Sequence, residues 1–414
     1  MTDRTLSSLP SRLATFDRAF RLEEYEVHSK LAQLIASSQG VSRADLARLT
    51  GFARSTISQL AQPLIDAGLV KEQAAGAASR GRPGTMLVLN PRAGLVLVAD
   101  MGATHGRLVI SDLAQRRLAE TVFSVDIALG PEPVLDLVIE RFRQMLAEHH
   151  LADLAIRSVV VGLPSPVDFG RGVCVRPPIM PGWDEFPVSE YLQARLKAAV
   201  LVDNDVNLMA LGEARTRPAG QSPLLFAKVS TGIGCGVVTA DGSLHRGADG
   251  SAGDIGHIRV PGRDDVICGC GNIGCVEAVA STTAVLRSLR QLPDAGADTI
   301  DDLVRLVRAG DRHAIRLVRE AAAEIGEVIA MVVHMFNPAA IVLGGRMARI
   351  SDDLLAGVRA VVYRRALPLA TRSLLIENTA LNQYAGAIGG TVLGIEHALA
   401  PQCIASILDG ITNR

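Results

Sequence analysis

From Glu24 to Ala36 apolar residues recur at helical spacing, with Val27, Leu31, Leu34 and Ile35 on one face, until Gln39-Gly40 ends the run. The pattern predicts a first helix. Ser42 opens a second, with Asp45 three residues on as its capping partner, and the stretch Ala44 to Leu49 closes at Thr50-Gly51-Phe52. A third helix is expected over roughly Arg54 to Ala67, burying Ile57, Leu60, Leu64 and Ile65. A short helix, a glycine turn and a further helix make a helix-turn-helix. Leu69 to Glu72 and Thr85 to Leu89 are strand-like and flank an Ala/Gly/Ser/Arg tip, so they predict a wing. Arg54, Ser55, Thr56, Ser58 and Gln59 cluster at the N-terminal end of the third helix, where this motif places the side chains that reach base edges in the major groove. Arg80 and Arg82 in Ser79-Arg-Gly-Arg-Pro83 suit the narrow minor groove of A·T-rich DNA, or a plain flexible linker. A protein-interaction module of three short helices is the alternative.

Beyond Asn90-Pro91 the pattern changes to apolar runs of strand length. Leu95 to Ala99, Arg107 to Ile110 and Leu118 to Val125 read as three strands, and the first ends in Asp100-Met-Gly102-Ala103-Thr104. A hairpin loop with this Asp, Gly and Thr resembles the phosphate-cradling turn of the hexokinase and actin superfamily, where small residues let backbone amides approach an anion. It is repeated in kind from Ser230 to Gly236, through Thr231, Gly232 and Gly234, between Leu225 to Val229 and Gly236 to Thr239. Two such hairpins imply duplicated lobes facing each other across a cleft. A helix over Ile315 to Met335, then Asn337-Pro338 and an apolar run to Gly344-Gly345, adds a unit suited to line a nucleotide pocket. The expected fold class is α/β. An all-α winged helix-turn-helix over 20–75 and a linker and wing over 76–92 come first. Two lobes of an actin/hexokinase-like, ribonuclease H-like domain follow over 93–203 and 204–382, and a helix over 383–399 returns to the first lobe.

Composition narrows the class. A chain of 414 residues that is 48% hydrophobic can fill two or three cores. Its start lacks the apolar stretch of a signal peptide, and the apolar region from Ile325 to Leu343 is broken by Glu327, His334 and Asn337-Pro338, so a cytoplasmic protein is expected. The net charge of -1 hides an asymmetry: residues 1–92 hold 12 Lys+Arg against 8 Asp+Glu, and the remainder holds 30 against 35. Only the N-terminal part is prepared for a polyanion.

Three of six cysteines lie in one loop as Cys268-x-Cys270-x4-Cys275, with His257 eleven residues upstream; Cys174, Cys235 and Cys403 are scattered. Three thiolates and an imidazole suit tetrahedral zinc, in a closed and therefore structural site. The alternative is three buried cysteines in a glycine-rich loop. Between the expected lobes, Asp203-Asn204-Asp205-Val206-Asn207 ends the apolar strand Ala199 to Val202. A carboxylate there can accept the proton of a sugar hydroxyl as general base, and Asn204 can fix other hydroxyls. A helix cap at Asp203 or Asn204 is compatible with that role.

On these residues the chain resembles the ROK family, which unites repressors, open reading frames and sugar kinases, from about Glu24 to Leu399. Gly253 to His257 with the cysteine loop matches the family's zinc signature, and Asn204 to Asn207 its sugar and catalytic motif. Asp100 to Thr104, Ser230 to Gly236 and Asn337 to Gly345 match its nucleotide motifs. The resemblance implies that Asn204, Asp205, Asp254, His257 and Glu277 touch a sugar, with His257 serving both metal and sugar and Asp205 the base in members that are kinases. The chain departs from the kinase pattern at Ala103, His105, Ser230 and Asp254. A methyl at Ala103 crowds the loop where phosphate must approach, so ATP and Mg2+ are not expected to bind. The helix-turn-helix is found in the family's repressors and not in its simple kinases. The reading is a sugar-responsive DNA-binding repressor without enzymatic activity, acting as a homodimer or a dimer of dimers on double-stranded operator DNA. The alternatives are an ATP-dependent sugar kinase with an accessory DNA-binding domain, and a zinc-stapled interaction protein that binds no sugar.

Overall fold

The computed structural model describes residues 16–38, 40–74, 85–218, 220–292 and 297–412. Arg80 and Arg82 lie outside the described residues. The chain begins with α1 (Phe16–Ala36), which starts well ahead of Glu24, then β1 (Val41–Ser42), α2 (Arg43–Thr50) and α3 (Arg54–Asp66). Ser42 caps α2: its Oγ accepts from the Asp45 amide at 3.1 Å and donates to the Asp45 carboxylate at 2.7 Å. Gly51, at φ +77°, ends that helix in the left-handed conformation that glycine adopts without penalty. β2 (Val70–Ala74) and β3 (Thr85–Leu89) pair antiparallel as the wing, and β1 adds a third strand beside β3 that the sequence pattern did not reveal.

The first large sheet has the order β10-β7-β4-β5-β6, from β4 (Leu95–Met101), β5 (His105–Asp112), β6 (Arg117–Ser124), β7 (Ile156–Leu163) and β10 (Val200–Asn204). A short ribbon, β8 (Val167–Asp168) and β9 (Val173–Cys174), extends from it, and α4 (Pro131–Glu148) and α5 (Val188–Leu196) cover its outer face. After α6 (Asp205–Thr216), β11 (Leu224–Val229) and β12 (Ile233–Val238) open a second sheet. It is completed by β13 (Ala340–Gly344) and β14 (Leu375–Asn378) in the order β12-β11-β13-β14. Between them run α7 (Val276–Ala280), α8 (Thr282–Arg290), α9 (Ile300–Arg308) and α10 (Arg312–Phe336), followed by α11 (Gly345–Ala348), α12 (Asp353–Arg365) and α13 (Pro368–Thr371). Each sheet begins with an antiparallel hairpin whose first strand is flanked on its other side by a parallel strand. The two sheets thus repeat one strand arrangement.

α6 and α14 (Ala385–Ala398) form the layer between the sheets, with α6 against β11 and β12 and α14 against β4 and β7. Their backbones touch: a Cβ on Gly389 would meet the Leu208 carbonyl oxygen at 1.8 Å, and one on Gly212 the Ala385 carbonyl oxygen at 2.2 Å. Period-two burial along β4 divides the cores. Leu95, Leu97, Ala99 and Met101 join the outer core with α4, whereas Val96 and Val98 face α14. The latter core runs without a break into the winged helix, through Ile395, Leu399 and Ile404 to Leu31, Ile35 and Leu87. A final helix unforeseen in the sequence, α15 (Pro401–Thr412), packs on α1. There the Tyr25 hydroxyl donates to Asp409 at 2.5 Å, and Ser29 Oγ donates to the Leu399 carbonyl at 2.6 Å. Among the described residues no single helix is long and apolar enough to cross a membrane.

Candidate functional site

A cavity of about 490 Å³ opens between the lobes. Its walls include Thr104, Asn204, Asp205, Lys228, Thr231, Gly232, Gly234, Asp254, His257 and Glu277. A larger groove, about 1600 Å³, separates the winged helix from α14, but apolar faces of α1 and α14 and scattered basic side chains line it, without convergent carboxylates. The polar convergence that a sugar requires is in the cleft.

The strand-to-helix junction β10–α6 places three of the polar groups. Asn204 caps α6: its Oδ1 accepts from the Val206 amide and its Nδ2 donates to the Ser165 carbonyl, both at 2.8 Å. Asp205 is the first residue of the helix, where the partial positive charge of the N-terminus favours a carboxylate, and it forms an ion pair with Lys228 from β11. Asp203 lies behind them, 1% exposed, taking Arg246 at 2.7 and 2.9 Å, Asn207 Nδ2 at 2.8 Å and the Asn204 amide at 2.8 Å. Arg246 also stacks on Phe169, 3.9 Å from the ring centre. This buried, fully partnered cluster fixes the loop that leads to Asp254.

Glu277 accepts from the Ile233 amide at 3.0 Å, and its carboxylate rests where a side chain on Gly232 would stand. Asp254 is exposed, and His257 Nε2 lies 3.9 Å from its Oδ1. The other imidazole nitrogen, Nδ1, faces Cys268 Sγ at 3.6 Å, while Cys270 and Cys275 Sγ are 3.8 Å apart. The four donor atoms of His257, Cys268, Cys270 and Cys275 all lie within 4.8 Å of one another, a cluster able to hold a metal ion. Cys174 and Cys235 are buried apart from it, and burial pushes their thiols up to about 11 and about 12. Cys403 faces His397 at 3.8 Å.

The nucleotide-type residues divide. Thr104, Thr231, Gly232 and Gly234 line the cleft; Asp100, Gly102, Gly344 and Gly345 stand outside its lining. Gly344 and Gly345 are small for packing reasons: a Cβ would meet the Phe226 ring at 2.3 Å and the Val229 carbonyl oxygen at 2.4 Å. The His105 ring folds back over Gly102, 2.7 Å from where a Cβ would be. Burial and then the Asp205 carboxylate push Asp100 up to about 7, against the pull of Lys228 and Arg107. Burial, then Lys228, Arg346 and Arg107, hold His105 below its usual value. On the winged helix, Arg54, Ser55 and Gln59 are exposed at the start of α3, and Thr56 and Ser58 are half-buried. Lys228, Arg246 and Ser165 were missed in the sequence, where no local spacing ties them to the 203–207 motif.

A xylose repressor from Caldicellulosiruptor bescii is 27% identical over 379 residues, covering 88% of this chain and 94% of its own. A glucokinase from Halalkalibacterium halodurans is 30% identical over 267 residues, 61% of this chain and 80% of its own. The crystal structure of a ROK family transcriptional regulator, a homologue of the Escherichia coli Mlc protein, has the same fold at TM-score 0.79, with 23% identity, over 94% of this chain and 99% of that one. The model of the ROK family matches residues 96–397, most of the chain, and the chain belongs to the ROK family.

Proposed function

We propose that this protein is a cytoplasmic transcriptional repressor of sugar metabolism, whose winged helix binds an operator and whose cleft binds the effector sugar. The observation that carries the reading is the continuous path between the two: α14 packs along α6, whose first residues line the cleft, starts against Asp100 behind it, and ends on the DNA-binding domain. A Cβ on Gly386, in its first turn, would stand 2.5 Å from Asp100 Oδ2, and Leu399, just past its end, accepts from Ser29 of α1. A helix of this length spans roughly 21 Å as one rigid unit. A sugar that shifts the lobes therefore moves α1. In this reading Asn204, Asp205, Asp254, His257 and Glu277 hold the sugar hydroxyls, and two copies of the chain present α3 to two half-sites.

Zinc fits the donor set. Tetrahedral geometry with Zn–S near ~2.3 Å and Zn–N near ~2.0 Å implies S···S edges of ~3.8 Å and S···N edges of ~3.6 Å. The 3.8 Å and 3.6 Å separations of Cys270–Cys275 and Cys268–His257 match both. Bound zinc would supply cross-linking of the loop. His257 would ligate through Nδ1, leaving Nε2 to the sugar and Asp254.

The kinase reading draws on Asp205, which stands where a general base would act. Against it, the Lys228 ammonium occupies that carboxylate and the His105 ring covers the turn that phosphate would approach. Operator binding with a sugar panel, and ADP release with ATP, Mg2+ and the same sugars, separate the two. Sugar-dependent release from DNA without turnover is expected. Robust ADP release that vanishes in Asp205→Asn would overturn the repressor reading.

The coupling path gives its own expected result. Ser29→Ala with Tyr25→Phe removes two polar ties between α1 and the α14–α15 end. Sugar affinity and sugar-free operator affinity should change by less than about 3-fold each, while the effect of sugar on operator affinity falls by roughly 5-fold or more, of the order of one allosteric coupling energy. An unchanged sugar effect, measured by operator titration with and without sugar, would remove α14 as the route.

A further inference from the structure

β11 is apolar at every position but one. Leu224, Leu225, Phe226, Ala227 and Val229 are buried, and Lys228 stands among them with its side chain 16% exposed. An ammonium that is largely buried, with only the cleft beside it, is disfavoured unless a counter-charge meets it. Asp205, with its side chain 3% exposed, supplies that charge through Oδ2. The strand register directs the contact. Lys228 is the cross-strand partner of Gly234, and a Cβ on Gly234 would point at Val206 of α6, 3.3 Å away, so this face of β11 looks onto the start of α6. Asp100 on β4 and His105 on β5 both feel the pair, and Arg107 and Arg346 lie within reach of His105; Asp254, His257, Glu277 and Arg287 line the same cleft. Arg107 is held by Glu120, Arg346 by Asp301 and Arg287 by the Ala278 carbonyl, and Lys228 is the cation that meets Asp205 directly.

We propose that Lys228 is a positioning residue for effector recognition: it holds Asp205 by one oxygen, leaves the other to accept a sugar hydroxyl, and keeps this carboxylate out of proton abstraction. To act as a base, Asp205 would have to give up the pair and strand the ammonium within an apolar strand. The cleft therefore binds a sugar without activating it. The inference rests on the reading of the cleft as a sugar site.

A double-mutant cycle on the full chain tests it, with D-glucose, D-xylose and N-acetyl-D-glucosamine as calorimetric probes and with metal content and melting temperature measured for each variant. Lys228→Met should weaken the sugar bound by the wild type by about 10-fold or more, and Lys228→Arg, which keeps the charge, by less than about 3-fold. Lys228→Met with Asp205→Asn should bind no more weakly than Asp205→Asn alone, because the two groups act as a unit. If Lys228→Met does not fold, the other arm decides. Asp205→Asn strands the lysine and should lower the melting temperature, and adding Lys228→Met should recover it. Binding by Lys228→Met equal to the wild type, or strictly additive losses in the cycle, would sink the role of Lys228 and leave the sugar site standing. Failure of the metal-loaded wild type to bind any of the three sugars would sink the sugar site, and the proposal with it.

Discussion

Cys268→Ser and Cys275→Ser are each expected to lose the metal and, with it, the sugar response. The chain from Ile258 to Cys275 contains no helix or paired strand, only the isolated bridges Arg259–Cys275 and Ile267–Ile273. Ile267 is 74% exposed and Ile273 49%, so apolar burial contributes little to holding this loop. Its internal order rests on a few backbone bonds, such as the Cys268 amide to the Asn272 carbonyl at 2.8 Å, and on the four-donor cluster. Structural zinc sites contribute up to ~10 kcal/mol or more to the folding of small domains, and a serine hydroxyl does not replace a thiolate. His257 is itself one of the donors and Glu277 follows Cys275 by two residues, so both would lose their placement in the cleft. Sugar affinity should fall by about 10- to 100-fold, the range found when the supports of metal ligands are removed. The winged helix shares its core with α14 and the first sheet, whereas Val260 and Val276 at the ends of the metal loop belong to the core of the other lobe, so operator binding without sugar should persist. Elemental analysis and sugar titration of the same preparation check this. A variant that keeps one metal per chain, or responds to sugar as the wild type does, would show the cluster is not what organises the loop.

What the sequence revealed follows from how locally each feature is encoded. The winged helix is set by neighbouring residues: Ser42 and Asp45 start α2, Gly51 ends it, and the apolar period of α3 runs through Ile57, Ala61 and Leu64. The two hairpins and their facing lobes were legible for the same reason, because each combines strand-length apolar runs with a glycine turn. β1 is not legible because two residues carry no period, and α15 lies beyond the apolar pattern that ends at Leu399, with Pro401 as its only start signal. Gly344 and Gly345 match a nucleotide motif in sequence, and the close approach of Phe226 and Val229 adds a packing demand for glycine there that appears only when β13 lies beside β11. Lys228 is the instructive omission. Within an apolar strand a single lysine reads as an irregularity. It acquires meaning only through Asp205, 23 residues earlier and on a different element, and no spacing rule links a strand residue in one lobe to a helix start at the junction.

The largest functional loss is expected at the start of α3. Arg54, Ser55 and Gln59 are exposed there. Ala53 provides no side-chain cap and the first turn carries no acidic residue. The first amides and the positive end of the helix dipole are therefore open to a phosphate or a base edge, an arrangement that favours a polyanion. On α2 and at its start Arg43 is paired with Glu72 and Arg48 with Asp45, and Arg54 is the one cation that α3 itself carries. If Arg54 and Thr56 each make a base contact, replacing either by alanine should cost ~1 to 3 kcal/mol, about 5- to 150-fold in specific affinity. A pure phosphate role for Arg54 gives a different signature: binding weakens equally on every sequence and the slope of log K against log salt falls by about one. Footprinting and salt titration on operator and on random DNA therefore distinguish a reading residue from an anchoring one. Specific affinity, sequence preference and salt slope all unchanged in the Arg54→Ala, Thr56→Ala double variant would take DNA recognition away from α3. Sugar binding must survive in that variant for the test to be clean, and it should, because no residue of α3 lines the cleft.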